Sequence, residues 1–371
     1  MSYLKHSEVV SSIPSKFETA KSSGALFFYP STRSKAPERG LNFEITVCPA
    51  LQKKPVLPEP TSEQNDKPDP FAPPYVPDLY VGDLKDELDG DEYVILVPQQ
   101  IQRHLGTFLN GHQRQVIHLL ASSCVTSMVD FKSQNGPLTP PDLTQTYLLI
   151  RASHKSQTPL FAFYNCGVDS GASQPHKHVQ FIPTTREDAD DEDEEEDTRP
   201  PVEAYVQGLK IEDDTKAFSL PLPYAHFVQK LHLPKTTVSG TKPLSPQSLE
   251  ELSARLTSAF LTLLDEAVQS LRLHPTTTTT TTTTTQASIS YNLILTSEHM
   301  HLVPRIREKT LEEDGAYSLH PLSVNSLGFA GMVLAKSEDE ARAIKERGVV
   351  ALLGQVGVLN SVEKIDAPES A

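Results

Sequence analysis

Two histidines one residue apart, His176 and His178, lie towards the end of the stretch YNCGVDSGASQPHKHVQFIP, residues 164–183. On an extended strand the side chains at i, i+2 and i+4 share a face. His176, His178 and Gln180 therefore point together, while Lys177 and Val179 point away. Just ahead lies Gly167-Val168-Asp169-Ser170-Gly171-Ala172-Ser173-Gln174, mostly small and polar. Glycine lets a backbone approach a phosphate closely, and hydroxyls and amide N–H groups donate to its oxygens. A phosphate loop followed by two facing imidazoles suits histidine-mediated nucleotidyl transfer. Taken alone, His-x-His on a strand suits a metal ion or a structural role better than a nucleophile. Three features favour the nucleophile. The next residue on the face, Gln180, is a poor ligand for zinc or copper but a good phosphate donor. No third Cys, Asp or Glu ligand stands nearby at metal-site spacing. The loop has an anion-binding composition. A metalloprotein joining His176 and His178 to a distant ligand such as His226 or His301 stays open, as does a nucleotide-binding module without catalysis.

The elements that must position these groups are marked along the chain. Leu41 to Val47 alternates apolar and polar residues, as a half-buried strand does. Tyr93 to Val97, Tyr147 to Ile150, Leu160 to Tyr164, Ser288 to Thr296 and Met332 to Ala335 have strand length and composition. Leu249 to Leu271 carries apolar residues with a 3.6-residue period behind Ser245-Pro246, and reads as a helix. A second helix starts at Ser337, with Glu340 completing a capping box, and runs through Ala341 and Ile344 towards Val349–Leu353. Gln102 to Ser122 reads as a third, less amphipathic helix. Pro55 to Pro77 holds too many prolines for a helix or a central strand and reads as extended wrapping chain. Strands with few long helices and many loops give an α+β class.

Composition bounds the rest. The 371 residues include 33 basic and 48 acidic side chains, a net charge of −15. Ten of the eleven residues 187–197 are acidic, so this run reads as a solvated loop that repels itself. Residues 276–285 are an unbroken polythreonine tract with no turn or core pattern, a second surface loop. The acidic balance disfavours nucleic acid as a partner. The three cysteines, Cys48, Cys124 and Cys166, form no Cys-x-x-Cys pair. That argues against a disulfide framework or a thiolate zinc site and for a reducing compartment. No apolar run reaches the roughly 18 residues of a membrane span, and the N-terminus lacks the apolar core of a secretory signal. The expectation is a soluble protein of the cytoplasm, and of the nucleus as well, with no membrane partner.

At this point the motifs carry a resemblance. Asn165-x-Gly167, then Ser170-Gly171-x-Ser173-Gln174-Pro175-His176-x-His178-x-Gln180, resembles the active-site signature of the histidine-triad superfamily. More narrowly it resembles the galactose-1-phosphate uridylyltransferase branch and, within it, the fungal-type diadenosine tetraphosphate phosphorylases (ATP adenylyltransferases). Further segments are similar to that last family: Asn42-Phe43-Glu44 through Lys53-Lys54-Pro55, Asp69-Pro70-Phe71, and Leu222-Pro223-Tyr224-Ala225-His226-Phe227. Tyr291-Asn292-Leu293 through Met300-His301-Leu302-Val303-Pro304-Arg305 and Asn325 to Met332 complete the set. The chain departs from the pattern in two places. After Tyr93–Val97 it runs into Pro98-Gln99-Gln100 with no Asn-Lys pair, and family-like text returns near Phe131-Lys132-Ser133-Gln134; His299 stands where relatives tend to have tryptophan.

The resemblance implies an α+β fold with a histidine-triad-like antiparallel sheet, helices to one side, and two related halves. It places an N-terminal catalytic half at 1–200, with the acidic loop 187–197 at its end, and a C-terminal half at 201–371, with the polythreonine loop 276–285. It implies adenylyl transfer: phosphorolysis of diadenosine tetraphosphate to ATP and ADP, and the reverse, with uridylyl transfer between sugar phosphates as the nearest competitor. His178 would be the nucleophile, one ring nitrogen attacking while the other keeps its proton and donates it to a backbone carbonyl. His176 would orient the loop or donate to phosphate oxygens, and Gln180 would bond the transferred phosphoryl. Substrate contacts would come from Lys54, Asn165, Gly171, Ala172, Ser173 and Gln174, and from Asn292, Met300 and Arg305 in the second half. The partners would be small nucleotides and inorganic phosphate. The protein itself would hold no metal; a divalent cation, Mg²⁺, would ride on the substrate phosphates. Cys166 would be a small packed residue.

Overall fold

The computed structural model describes residues 3–50, 69, 71–97, 100–104, 117–122, 131–156, 159–183, 199–234, 237–238, 243–273, 289–312 and 320–360. Lys54, most of the proline-rich stretch, the acidic run and the polythreonine tract lie outside these residues.

The centre is a nine-stranded antiparallel sheet. In spatial order its strands are β3 (Tyr80–Lys85), β4 (Glu92–Leu96), β6 (Ile117–Ser122), β8 (His178–Pro183), β7 (Leu160–Cys166), β11 (Tyr291–Leu295), β12 (His299–Pro304), β10 (Phe227–Lys230) and β9 (Phe218–Ser219). A smaller sheet runs β13 (Met332–Ala335), β2 (Leu41–Val47), β1 (Phe27–Glu38) and β5 (Gln100–His104).

Strand alternation sorts the large sheet into two apolar faces. Ala162, Tyr164, Val179, Phe181, Leu293, Met300 and Leu302 pack on one side against α1 (His6–Ser23), α2 (Pro140–Lys155) and α4 (Pro246–Leu273). Phe161, Phe163, Ile182, Ile294 and Val303 pack on the other against β2, β13, α3 (Pro201–Gly208), α5 (Ser326–Phe329), α6 (Glu338–Arg347) and α7 (Val349–Val356). Helices therefore cover both faces, not one.

Several local readings hold. Leu41, Phe43, Ile45 and Val47 of β2 all enter the second core, although the strand is not half-buried, since Glu44 and Thr46 on its other face are buried too. Ser337 caps α6 by accepting from the Glu340 amide at 3.0 Å, and the Glu340 carboxylate bonds back to the Lys336 amide. Gly348 then separates α6 from α7.

Two readings are corrected. Tyr147–Ile150 is the middle of α2, because Thr139 caps the helix and Asp142 completes a capping box behind Pro140. A four-residue apolar run does not by itself distinguish strand from helix. Gln102–Ser122 is not a helix: its described ends are strands β5 and β6. β6 pairs with β4 on one side and β8 on the other, with Leu120 opposite His178. Ladder bonding on both edges outweighs a weak helical pattern. The strand position next to the histidine strand is therefore filled even though the Asn-Lys text is missing.

Candidate active site

β8 begins at His178, and His176 sits one bridge earlier, opposite Ser133. The His178 ring is 1% exposed. Its Nδ1 lies 2.8 Å from the His176 carbonyl oxygen. A carbonyl only accepts, so Nδ1 carries the proton and Nε2 keeps its lone pair. The Gln180 amide nitrogen stands 3.2 Å from that Nε2 and donates to it. Burial, the largest influence, pushes the His178 pKa down to about 4, against smaller opposing effects of the His176 carbonyl and Asp69. At neutral pH the ring is an uncharged base whose Nε2 lone pair accepts from Gln180.

His176 is held differently. Its Nδ1 is 2.6 Å from Asp69 Oδ2, and its Nε2 is buried with no hydrogen-bond partner among the described residues. The Phe71 ring lies 4.8 Å from the His178 ring, and the exposed Phe131 ring 5.2 Å from that of His176. Asp69 and Phe71 thus belong to the site, although only the family-like Asp-Pro-Phe text marked them. Gln134 belongs to it too. Its side chain accepts from the His178 amide at 2.7 Å and donates to the Asn165 carbonyl at 2.7 Å. Nothing in its local spacing signals that role.

Between β7 and β8 the Gly/Ser segment folds back on itself. Ser170 Oγ donates to the Gly167 carbonyl at 2.6 Å. Gly171 takes φ +74, where a Cβ would overlap the Val324 carbonyl, so glycine is required by a close backbone approach. Gly171, Ala172 and Gln174 are partly exposed and Ser173 is exposed, leaving their donors available.

The second-half candidates divide. Asn292, opposite Asn165 across the β7–β11 pair, donates to Asn165 Oδ1 at 2.8 Å and to the Ser170 carbonyl at 2.9 Å. Asn165 Oδ1 also accepts from the Ser326 amide and hydroxyl at 2.9 and 2.7 Å. The two asparagines lock the loop to the N-terminus of α5. Arg305 is 2% exposed and donates to the carbonyls of Ser170, Val324, Val356, Arg307 and Glu308 and to Asn292 Oδ1. Burial lowers its pKa to about 9, with Asp169 and Glu308 opposing. It is a buried clamp, with its donors spent inside the protein. Met300 is a correction. It is fully buried in the core against α1, α2 and α4, on the face opposite Gln180 and His178, because strand alternation turns it away. Cys166 is also buried there, its pKa raised to about 11 by burial.

His226 and His301 stand elsewhere. His301 lies on the row Gln180–Phe163–Ile294–His301, three strands from β8. That is about 14 Å at ~4.8 Å per strand, too far to share an ion with His178 at ligand distances of about 2 Å. There His226, His301, Glu203 and His299 form a buried chain. Nε2 of His226 is 3.2 Å from Nδ1 of His301, and Glu203 accepts from His301 at 3.1 Å and His299 at 2.7 Å. Burial alone would raise the Glu203 pKa, but these bonds hold it well below the usual carboxylate range. Glu203, Glu298 and His299 bring ligand atoms within 4.8 Å of one another, the one such grouping among the described residues. No described helix is long and apolar enough to cross a membrane.

Comparison with known proteins follows the same lines. The model of the Ap4A phosphorylase N-terminal domain matches residues 2–195, and that of the ATP adenylyltransferase C-terminal domain matches 220–359. Diadenosine 5',5'''-P1,P4-tetraphosphate phosphorylase 2 of Saccharomyces cerevisiae is 28% identical over 343 residues, 90% of this chain and 89% of that protein. Protein APA1 of the same yeast is 25% identical over 358 residues, 92% of this chain and 90% of that protein. Crystal structures of yeast Ap4A phosphorylase Apa2 share the fold. One superposes with a TM-score of 0.68 at 22% identity, covering 97% of this chain and 100% of that one. Apa2 in complex with Ap4A gives 0.64 at 23% identity, covering 97% and 100%.

Proposed function

The chain belongs to the Ap4A phosphorylase family, and from that premise we propose that it is a nucleotidyltransferase that phosphorolyses diadenosine tetraphosphate to ATP and ADP through an adenylyl-histidine at His178. The observation that carries the reading is the His178 ring itself: uncharged, its Nδ1–H anchored on the His176 carbonyl, and its Nε2 lone pair next to one displaceable amide.

Nε2 attacks the α-phosphorus, the bond from that phosphorus to the β-bridging oxygen breaks, and ATP leaves. The ring gains positive charge as the N–P bond forms, and the His176 carbonyl opposite Nδ1–H stabilises it without reorganising. Inorganic phosphate then attacks the adduct from the vacated side, releasing ADP and restoring the neutral ring. Gln180 exchanges its bond to Nε2 for one to a phosphoryl oxygen. In its doubly protonated form His176 donates from Nε2 to the same oxygens, with its Nδ1–H held by Asp69. Gly171, Ala172, Ser173 and Gln174 supply donors around the phosphates, and Lys54 a charge. Asn165, Asn292 and Arg305 hold that loop in place.

Mg²⁺ prefers water and several oxygen ligands in an octahedron. The carboxylate beside the histidines is that of Asp69, already bonded to His176. The described residues thus suit an ion carried on the substrate's phosphates, whose charge it would neutralise, rather than one caged by the protein. Nucleotides and phosphate are the partners this chemistry needs, and a cytoplasmic or nuclear setting would supply them.

Incubating the protein with diadenosine tetraphosphate and phosphate should yield ATP and ADP in equal amounts. Binding without products would leave a nucleotide-binding module, and ATP with AMP, or ADP alone, formed without phosphate uptake would mean hydrolysis and refute phosphorolysis. The pH profile is a second check. Protonation removes the nucleophile, so kcat/KM should hold from neutral pH down and fall with an apparent pKa near 4. An acid limb centred near the ordinary imidazole value of about 6.5 would show that the attacking ring is not the buried one.

A further inference from the structure

We infer that Gln134 is a positioning residue for the nucleophile, its side-chain amide replacing one rung of the ladder between β7 and β8. The inference rests on adenylyl transfer at His178. The two strands pair from Leu160 opposite Pro183 to Phe163 opposite Gln180. Bonded pairs in an antiparallel ladder recur every second residue, so the next would join the His178 N–H to the Asn165 carbonyl. These two groups are bridged instead. The His178 N–H donates to Gln134 Oε1 at 2.7 Å, and Gln134 Nε2 donates to the Asn165 carbonyl at 2.7 Å. Only one orientation of the amide satisfies both, because one neighbour is a donor and the other an acceptor.

Gln134 is itself fixed from both sides. Its main-chain N–H donates to the Pro175 carbonyl at 2.8 Å, and the Lys177 main-chain N–H donates to the Lys132 carbonyl at 2.7 Å. Residues 132–134 thus run beside the chain entering β8. From β7 the Tyr164 hydroxyl donates to the Gly136 carbonyl at 2.6 Å and stands 3.1 Å from that of Gln134. The side chain is 2% exposed, so neither bond is replaced by water. The inserted amide parts the strands at His178, where the ring's Nδ1–H turns back to the His176 carbonyl. The same atoms therefore set the ring's direction and the departure of the phosphate loop.

Two variants separate this role from packing. Gln134→Leu keeps the volume and removes both bonds, so kcat should fall about 100-fold with KM little changed, the scale of an ångström's misplacement at a reacting centre. Gln134→Glu keeps an acceptor and a donor only while its carboxyl is neutral, and burial raises a carboxyl pKa. Its kcat relative to the unaltered protein should approach one near pH 5 and fall towards pH 8. His176, His178, Asp69, Tyr164, Cys166 and the Lys177–Asp142 pair surround the site in both proteins, so they cancel in that ratio. Hydrogen exchange at the His178 amide, which needs no substrate, should quicken in Gln134→Leu and in Gln134→Glu at high pH. If the unaltered protein proves inactive, the exchange result still decides the role of Gln134. Wild-type kcat ratios at every pH, or unchanged His178 exchange in both variants, would overturn it.

Discussion

His178→Ala should lose phosphorolysis by about 10⁴-fold or more, the scale on which removing a covalent nucleophile acts, together with any acid-labile adenylyl adduct. Gln180, next on the same face, cannot take over. The Nδ1 of His176 is committed to Asp69, and Gln180 cannot ionise. The fold should survive. The ring bonds to the His176 carbonyl and the Gln180 amide, and losing those bonds costs about 1–3 kcal/mol. Label from substrate carrying a marked α-phosphate should stay with the unaltered protein after acid-free quenching and be absent from the variant. His178→Gly supplied with free imidazole should regain part of the rate. Normal turnover by His178→Ala, with melting behaviour confirming a folded sample, would end the adenylyl-histidine reading.

The largest loss of stability is expected from Arg305. Its guanidinium donates to five main-chain carbonyls and to the Asn292 side chain, and lies 5.2 Å over the Phe329 ring. Arg305→Ala strips those mostly buried acceptors of their donor and opens a cavity. Breaking a buried charged network of this kind costs about 3–5 kcal/mol. Denaturant unfolding should show that loss as a lower midpoint at similar slope. Activity should fall with it, because the Ser170 carbonyl and Asn292, both gripped by Arg305, hold the phosphate loop. Arg305→Lys should remain badly destabilised, since one ammonium cannot reach acceptors spread around a planar fork. A midpoint unchanged within error would show that the clamp bears no weight.

How much of this was legible depends on the distance over which each residue acts. β2, α4 and the Ser337 cap were readable because their signals lie within one element, an alternation, a 3.6-residue stripe or a capping residue. The His178–Gln180 geometry was readable for the same reason. Asp69 and Gln134 act across 107 and 44 residues, and no periodicity reports such a contact. α1 was missed although Val9, Ile13, Phe17 and Ala20 follow helical spacing, because Pro14 lies among them. Met300 shows the limit of a motif. The text located the strand, but the face each residue takes followed from pairing with β10 and β11. Arg305 shows another limit, since a cation at a family position reads the same whether it meets substrate or carbonyls.

The large sheet does not respect the seam between the two family segments. β7 belongs to the first and β11 to the second, yet they pair from Ala162 opposite Leu295 to Cys166 opposite Tyr291, and β13 crosses back to run beside β2. Either segment produced alone would present a bare, apolar strand margin, the kind of surface on which chains aggregate. The two segments thus share one hydrogen-bonded ladder, so a change along the margin of one half has to be matched by the strand of the other.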